Sequence, residues 1–137
     1  MAFTGGDCIE ITVAHPILGA FRFEPKAAED TEVNEGGFMK NDDDQSITGA
    51  GVDIIIVNRK RWSVTTPPIG WDEDPNTLEE LQSLIDDPNP SDWTFSFIDG
   101  SVYRGRGTIV GDLMANKNAA SINSFKVAGG GKLEKIA

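Results

Sequence analysis

The sequence holds one cysteine, one histidine and 12 Lys+Arg in 137 residues, and no apolar run approaches the roughly 18 residues of a membrane-spanning helix. A lone cysteine excludes an internal disulfide and any paired-cysteine metal site. Cys8 lies in an alternating segment and reads as a small packed side chain. His15, next to Pro16, ends that segment and reads as polar turn chemistry. A Ser/His/Asp site would need it, and no nucleophile motif of the G-x-S-x-G kind is present. Gly129-Gly130-Gly131-Lys132 lacks the spacing and the following helix of a phosphate loop, and there is no dinucleotide fingerprint. Met1-Ala2-Phe3-Thr4 has neither the basic start nor the apolar stretch of a secretion signal. These absences lead to the expectation of a non-enzyme with no cofactor and no metal.

Acid is what the chain has in excess. Net charge is −10, and it is unevenly spread: residues 24–53 hold nine acidic and two basic side chains, and residues 71–92 hold eight acidic and none basic. Arg59-Lys60-Arg61 is the one basic cluster. The acidity reads either as solvated loops or as a surface from which nucleic acid is repelled. Asp42, Asp44 and Ser46 alternate, but the loop lacks the glycine and terminal glutamate of an EF-hand. Trp62, Trp71 and Trp93 could form a sugar-binding platform or sit in the core.

One domain is expected from the length. Residues 8–13 alternate as a half-buried strand and 17–24 as a second, joined by a short link at His15-Pro16. Residues 31–37 fit an exposed acidic strand. Residues 38–51 show no period and read as a long loop, of the kind that is functional or disordered when alone. Residues 52–66 read as the longest strand, with 54–57 apolar on both faces as though covered on two sides. That length exceeds a common strand, so the segment is expected to bend or to reach a neighbouring subunit. The only convincing helix covers 78–86, with Thr77 and Glu80 as a capping box and Leu78, Leu81, Leu84 and Ile85 as its apolar stripe. Asp86 and Asp87 oppose the helix dipole, which suggests that they face something.

The chain is organised around residues 92–131. Residues 93–98 alternate, Asp99-Gly100 suits a two-residue type I′ turn, and residues 102–113, VYRGRGTIVGDL, return as a strand. Residues 119–128 follow as a third strand. Gly105, Gly107 and Gly111 point to one face and mark a close approach of another backbone or subunit, or bulges that bend the sheet. Arg104 and Arg106 lie opposite that face.

Taken in order, GGFMKNDDDQSITGAG (36–51), NRKRWSVTTPPIGWD (58–72), the helix, YRGRGTIVGD (103–112) and GGGKLEKI (129–136) resemble the tail tube (inner tube) proteins of contractile-tailed bacteriophages. The resemblance covers most of residues 36–136. It implies a mainly β fold: two packed antiparallel sheets forming a partly barrel-like sandwich with one flanking α-helix. It also implies homo-hexameric rings stacked into a tube, bound outside by a tail sheath protein and at its ends by baseplate and tail terminator proteins. The lumen would hold a tape-measure protein and then conduct viral DNA without specific binding, with no membrane contact. The location implied is the virion tail, and the host cytoplasm during assembly. Tubes of type VI secretion systems or phage-like bacteriocins are the alternative, and a small acidic β-sandwich binding module is a third. The residues expected at subunit contacts are Phe38, Met39, Asp42, Asp43, Asp44, Arg59, Lys60, Arg61, Arg104 and Arg106.

Overall fold

A computed structural model describes residues 5–73 and 76–136. Its strands, in chain order, are β1 (Cys8–His15), β2 (Gly19–Phe23), β3 (Glu32–Asn34), β4 (Gly37–Met39), β5 (Ser46–Ile47), β6 (Asp53–Ile54), β7 (Asn58–Lys60), β8 (Trp62–Thr65) and β9 (Ile69–Gly70). Helix α1 (Thr77–Asp86) follows. The remaining strands are β10 (Ser91–Phe97), β11 (Val102–Val110), β12 (Ala115–Asn116), β13 (Ser121–Ile122), β14 (Lys126–Gly129) and β15 (Glu134–Lys135). The fold is mainly β with one flanking helix, as expected, and the large sheet does not close into a barrel.

The large sheet runs β2-β1-β10-β11-β14-β8-β3, with β15 also on β11. Every pairing is antiparallel. Strand β11 is the corner. Its first part pairs with β10 and, on the other edge, with β15, whereas residues 108–110 pair with β14. Thr108 faces Ala128 and Arg104 faces Glu134, so four steps along β11 oppose six along the returning chain. The two extra residues sit in the Gly129–Leu133 stretch, a bulge that turns the sheet. The two portions face each other across one core. Ile11, Trp93 and Phe95 come from one side and Trp62, Val64, Phe125 and Val127 from the other. The rings of Trp93 and Phe125 meet at 6.4 Å.

The glycines of β11 explain the close approach, and it is internal. A Cβ on Gly105 would sit 2.7 Å from the Trp62 ring, and one on Gly107 would collide with the Ala128 carbonyl. Trp62 is fully buried because these positions have no side chain. Trp93 Nε1 donates to the Gly107 carbonyl at 3.1 Å, which fixes the second indole on the same strand. Gly111 differs from the expectation. It lies beyond the end of β11 with φ at +87° and open space around it, so it serves a turn.

Several expected elements are corrected. In β1 the register shifts between Cys8 and Glu10, which turns Cys8 into the core and leaves Ile9 half exposed. Cys8 is thus packed, as expected, whereas Ile9 departs from the face that it would share with Ile11 and Val13 in an unbroken alternation, because a single bulge swaps the faces. The β10–β11 turn has three residues. Phe97 N donates to Ser101 O, only Gly100 takes a positive φ, and the Asp99 carboxylate accepts from Ser101 N and Oγ. Asp at the turn acts through its side chain, so Gly alone supplies the left-handed residue. The true N-cap of α1 is Asn76, whose Oδ1 accepts from Leu78 and Glu79 N–H groups. Thr77 Oγ1 turns back to the Asp72 backbone instead. Leu81 and Leu84 are buried and Leu78 and Ile85 pack beside them, as the stripe required. The expected strand over 119–128 is broken: Ala120 sits in a turn at φ 48°, β13 joins β9 and β12, and only β14 enters the large sheet.

Candidate functional site

The expected long loop and the first half of the expected long strand fold onto each other. Strand β4 pairs with β7 and β5 pairs with β6, giving a hairpin arm from Gly37 to Lys60. Residues 52–66 are therefore three short strands, interrupted at 55–57 and at Arg61. Between the two ladders no backbone pairing closes the arm. The Gln45 side chain does so: its Nε2 donates to Ile56 O at 2.8 Å and its Oε1 accepts from Ile56 N at 2.9 Å. An amide carries one donor group and one acceptor, so it can take the place of a strand residue. Asp44 Oδ2 accepts from Asn58 Nδ2 at 2.9 Å and from Asn41 Nδ2 at 3.3 Å, tying the 3₁₀ turn Asp42–Asp44 to the opposite strand. One of the carboxylates considered for calcium is thus engaged by amides.

No residue from Thr31 to Arg61 is buried. The arm nevertheless carries Phe38, Met39, Ile47, Val52, Ile54, Ile55, Ile56 and Val57 as exposed large hydrophobic residues. Scattered apolar residues on a surface are ordinary, but a run of them on one projecting element marks a contact surface. The apolar two-faced pattern of 54–57 was read as a strand covered on both sides. Among the described residues nothing covers it.

At the root of the arm lies an open groove of about 580 Å³ lined by Gly37, Phe38, Arg59, Lys60, Arg61 and the Gly130–Lys132 turn. Gly36 (φ +75°) makes this root possible, since any Cβ there would collide with the Trp62 backbone. Gly36 bridges to Lys132, and Leu133 N donates to Glu35 O at 2.7 Å, so the C-terminal return is fastened to the arm's entrance. The Arg59 guanidinium stands over the Phe38 ring, 5.9 Å from its centroid. Of the residues expected at subunit contacts, Phe38, Met39, Asp42, Asp43, Asp44, Arg59 and Lys60 belong to this arm and Arg61 follows it directly. Arg104 and Arg106 are exposed on the outer face of β11 opposite Thr94 and Asp92, and line a second depression on the other side of the Gly130–Lys132 turn together with Asp92 and Glu134. Sequence reasoning missed Lys132 and the isoleucines of 54–56. The isoleucines were visible as a two-faced apolar run, but the run was assigned to a covered strand.

Elsewhere the sheet ends open. Among the described residues β2 pairs only with β1 and β3 only with β8, so no described strand covers the other edge of either. Arg22 bridges Glu10 at 3.2 Å and Glu24 at 3.1 Å on β2, the kind of charge that discourages random pairing. His15 is buried. Its Nδ1 accepts from Ile17 N and Leu18 N, both at 3.0 Å, and its Nε2 lies 3.3 Å from Asp87 Oδ1, within ion-pair range though outside hydrogen-bond alignment. Asp87 thus faces something, as its position suggested. Its carboxyl is held below the usual range, first by the Asn89 backbone N–H. Trp62 and Trp93 are core residues, and Trp71 carries Lys117 over its ring at 4.6 Å, so the three do not form a shared sugar platform. Among the described residues no three His, Cys, Asp or Glu side chains cluster as a metal site. No protein-family model matches the chain, and no curated protein matches it.

Proposed function

We propose that this chain is a structural subunit of a phage tail tube, forming stacked hexameric rings whose lumen conducts viral DNA. The observation that carries the reading is the arm: eight exposed large hydrophobic residues on a projecting hairpin that contributes nothing to its own core. Such an element is stable in water only at the expense of its apolar surface, and a neighbouring copy would remove that surface from solvent. The free edges of β2 and β3, at opposite ends of one sheet, add support, because edge-to-edge addition around a ring leaves no edge open. The net charge of −10 suits a conduit through which a polyanion slides without sticking. In this reading the rings meet a sheath outside and tape-measure protein and DNA inside, in the virion tail.

Negative-stain electron microscopy of concentrated protein tests it. Rings or hollow tubes of uniform width are the expected result. A strictly monomeric protein at every concentration and salt would remove the proposal.

A further inference from the structure

We infer that the groove at the arm's root is the receptor for an acidic segment of a second copy of this chain, and that the segment is Asp42-Asp43 on the partner's arm. Four of the chain's 12 Lys+Arg, namely Arg59, Lys60, Arg61 and Lys132, line one groove, and no carboxylate lines it. None of the four forms an ion pair with a described residue. Like charges gathered without counter-charge repel one another, so the groove is completed by an anion. Phe38 at its wall adds an apolar face beside the cations.

The same arm presents the complement. Asp42 and Asp43 are exposed, and neither is in an ion pair with a described residue, whereas Asp44 is engaged by Asn41 and Asn58. Asp42 and Asp43 do not line the groove of their own chain. Copies bearing a charge of −10 repel at long range, a local contact of opposite sign offsets that repulsion, and the groove is where the cations gather. Donor and receptor occupy different places on one molecule, so each copy gives one contact and takes one; two copies can satisfy this reciprocally, and head-to-tail repetition satisfies it by closing the ring that the tube reading requires. This goes beyond the tube reading by naming the charge lock, and it rests on that reading only for the partner being a second copy.

Two variants test the pairing, R59E/R61E and D42K/D43K. Both alter exposed residues and should melt as the wild type does. By sedimentation velocity at about 150 mM salt, where the long-range repulsion is largely screened, each alone should self-associate at least tenfold more weakly than wild type. Mixed one to one, the two variants should associate again, because the acidic groove of one meets the lysines of the other and the native pair forms in the opposite direction. Undiminished association of either variant alone overturns the inference, and so does failure of the mixture to recover. Binding of a short single-stranded oligonucleotide to wild type but not to R59E/R61E, with self-association unchanged, would assign the groove to phosphate instead. Electron microscopy of the same samples separates the two ideas. Tubes from R59E/R61E overturn the lock and leave the tube reading standing; a mixture-rescued assembly with no tubular form does the reverse.

Discussion

The body of the sheet and the arm are built on opposite terms. In the body, Trp62, Trp93, Phe95, Ile11 and Val64 are fully or almost fully buried, and glycines are spent on bringing backbone and indole together. In the arm, an equally apolar sequence buries nothing. Its geometry rests on two short ladders, a turn in which Thr48 O accepts from Gly51 N, and the Gln45 side chain. Apolar content therefore does not distinguish core from interface here. What distinguishes them is whether the chain itself supplies the second surface.

The sharpest way to break the body is at its corner. Gly107→Val should destabilise the fold by about 3 kcal/mol or more, since the new side chain meets the Ala128 carbonyl of the neighbouring strand and cannot move aside; urea unfolding measures it. Gly107 was expected to admit another backbone or a subunit; the backbone it meets belongs to its own chain, so folding rather than assembly suffers. A smaller loss is expected for His15→Ala, about 1–2 kcal/mol, because the N–H groups of Ile17 and Leu18 lose the buried acceptor that closes the β1–β2 turn. Burial pushes the Cys8 thiol up to about 11. The unfolded thiol ionises near 8.5, so its contribution to stability is full below that pH and is lost as pH rises towards the folded value. Cys8→Ala should flatten the alkaline limb of the stability curve, which a melting series between neutral pH and about 10.5 would reveal.

The arm should answer differently. Ile55→Ser with Ile56→Ser should change the unfolding free energy by less than about 0.5 kcal/mol, as for exposed positions away from the core, while abolishing rings or tubes by electron microscopy. A cooperative loss of stability instead would make the arm part of the body. Gln45→Ala is expected to have the smallest global effect: amide exchange at Ile56 should quicken without a shift in the melting temperature.

The body was largely legible because alternation and helical spacing record burial within the chain. Ile11 and Val13, Trp93 and Phe95, and Leu81 and Leu84 all stand where their periods put them. The misreadings are local contests between neighbours of similar propensity. Asn76 and Thr77 can both cap a helix, and the backbone of Asp72 drew Thr77 away. At the β10–β11 turn, Asp99 could have taken a positive φ but accepts two bonds from Ser101 instead, and the same bonds hold its carboxyl below the usual range. The arm was illegible for a different reason. Strands of two or three residues carry no period, and a side chain acting as a ladder rung leaves no pattern. Phe38 and Arg59 were singled out separately; that they share a wall follows from the register of β4 on β7. Lys132 joins them because the glycine turn folds back beside Gly37.

Gly37 and Lys60 stand opposite each other at the arm's root. Everything between them is a detour that leaves the body and returns to the same place. For a lineage under selection this makes the arm a cassette. Adding or deleting one residue on each side changes its reach by roughly 3.4 Å without displacing a single core side chain. Reach and apolar decoration can then diverge among descendants while the body's sequence stays under the constraint of its packing.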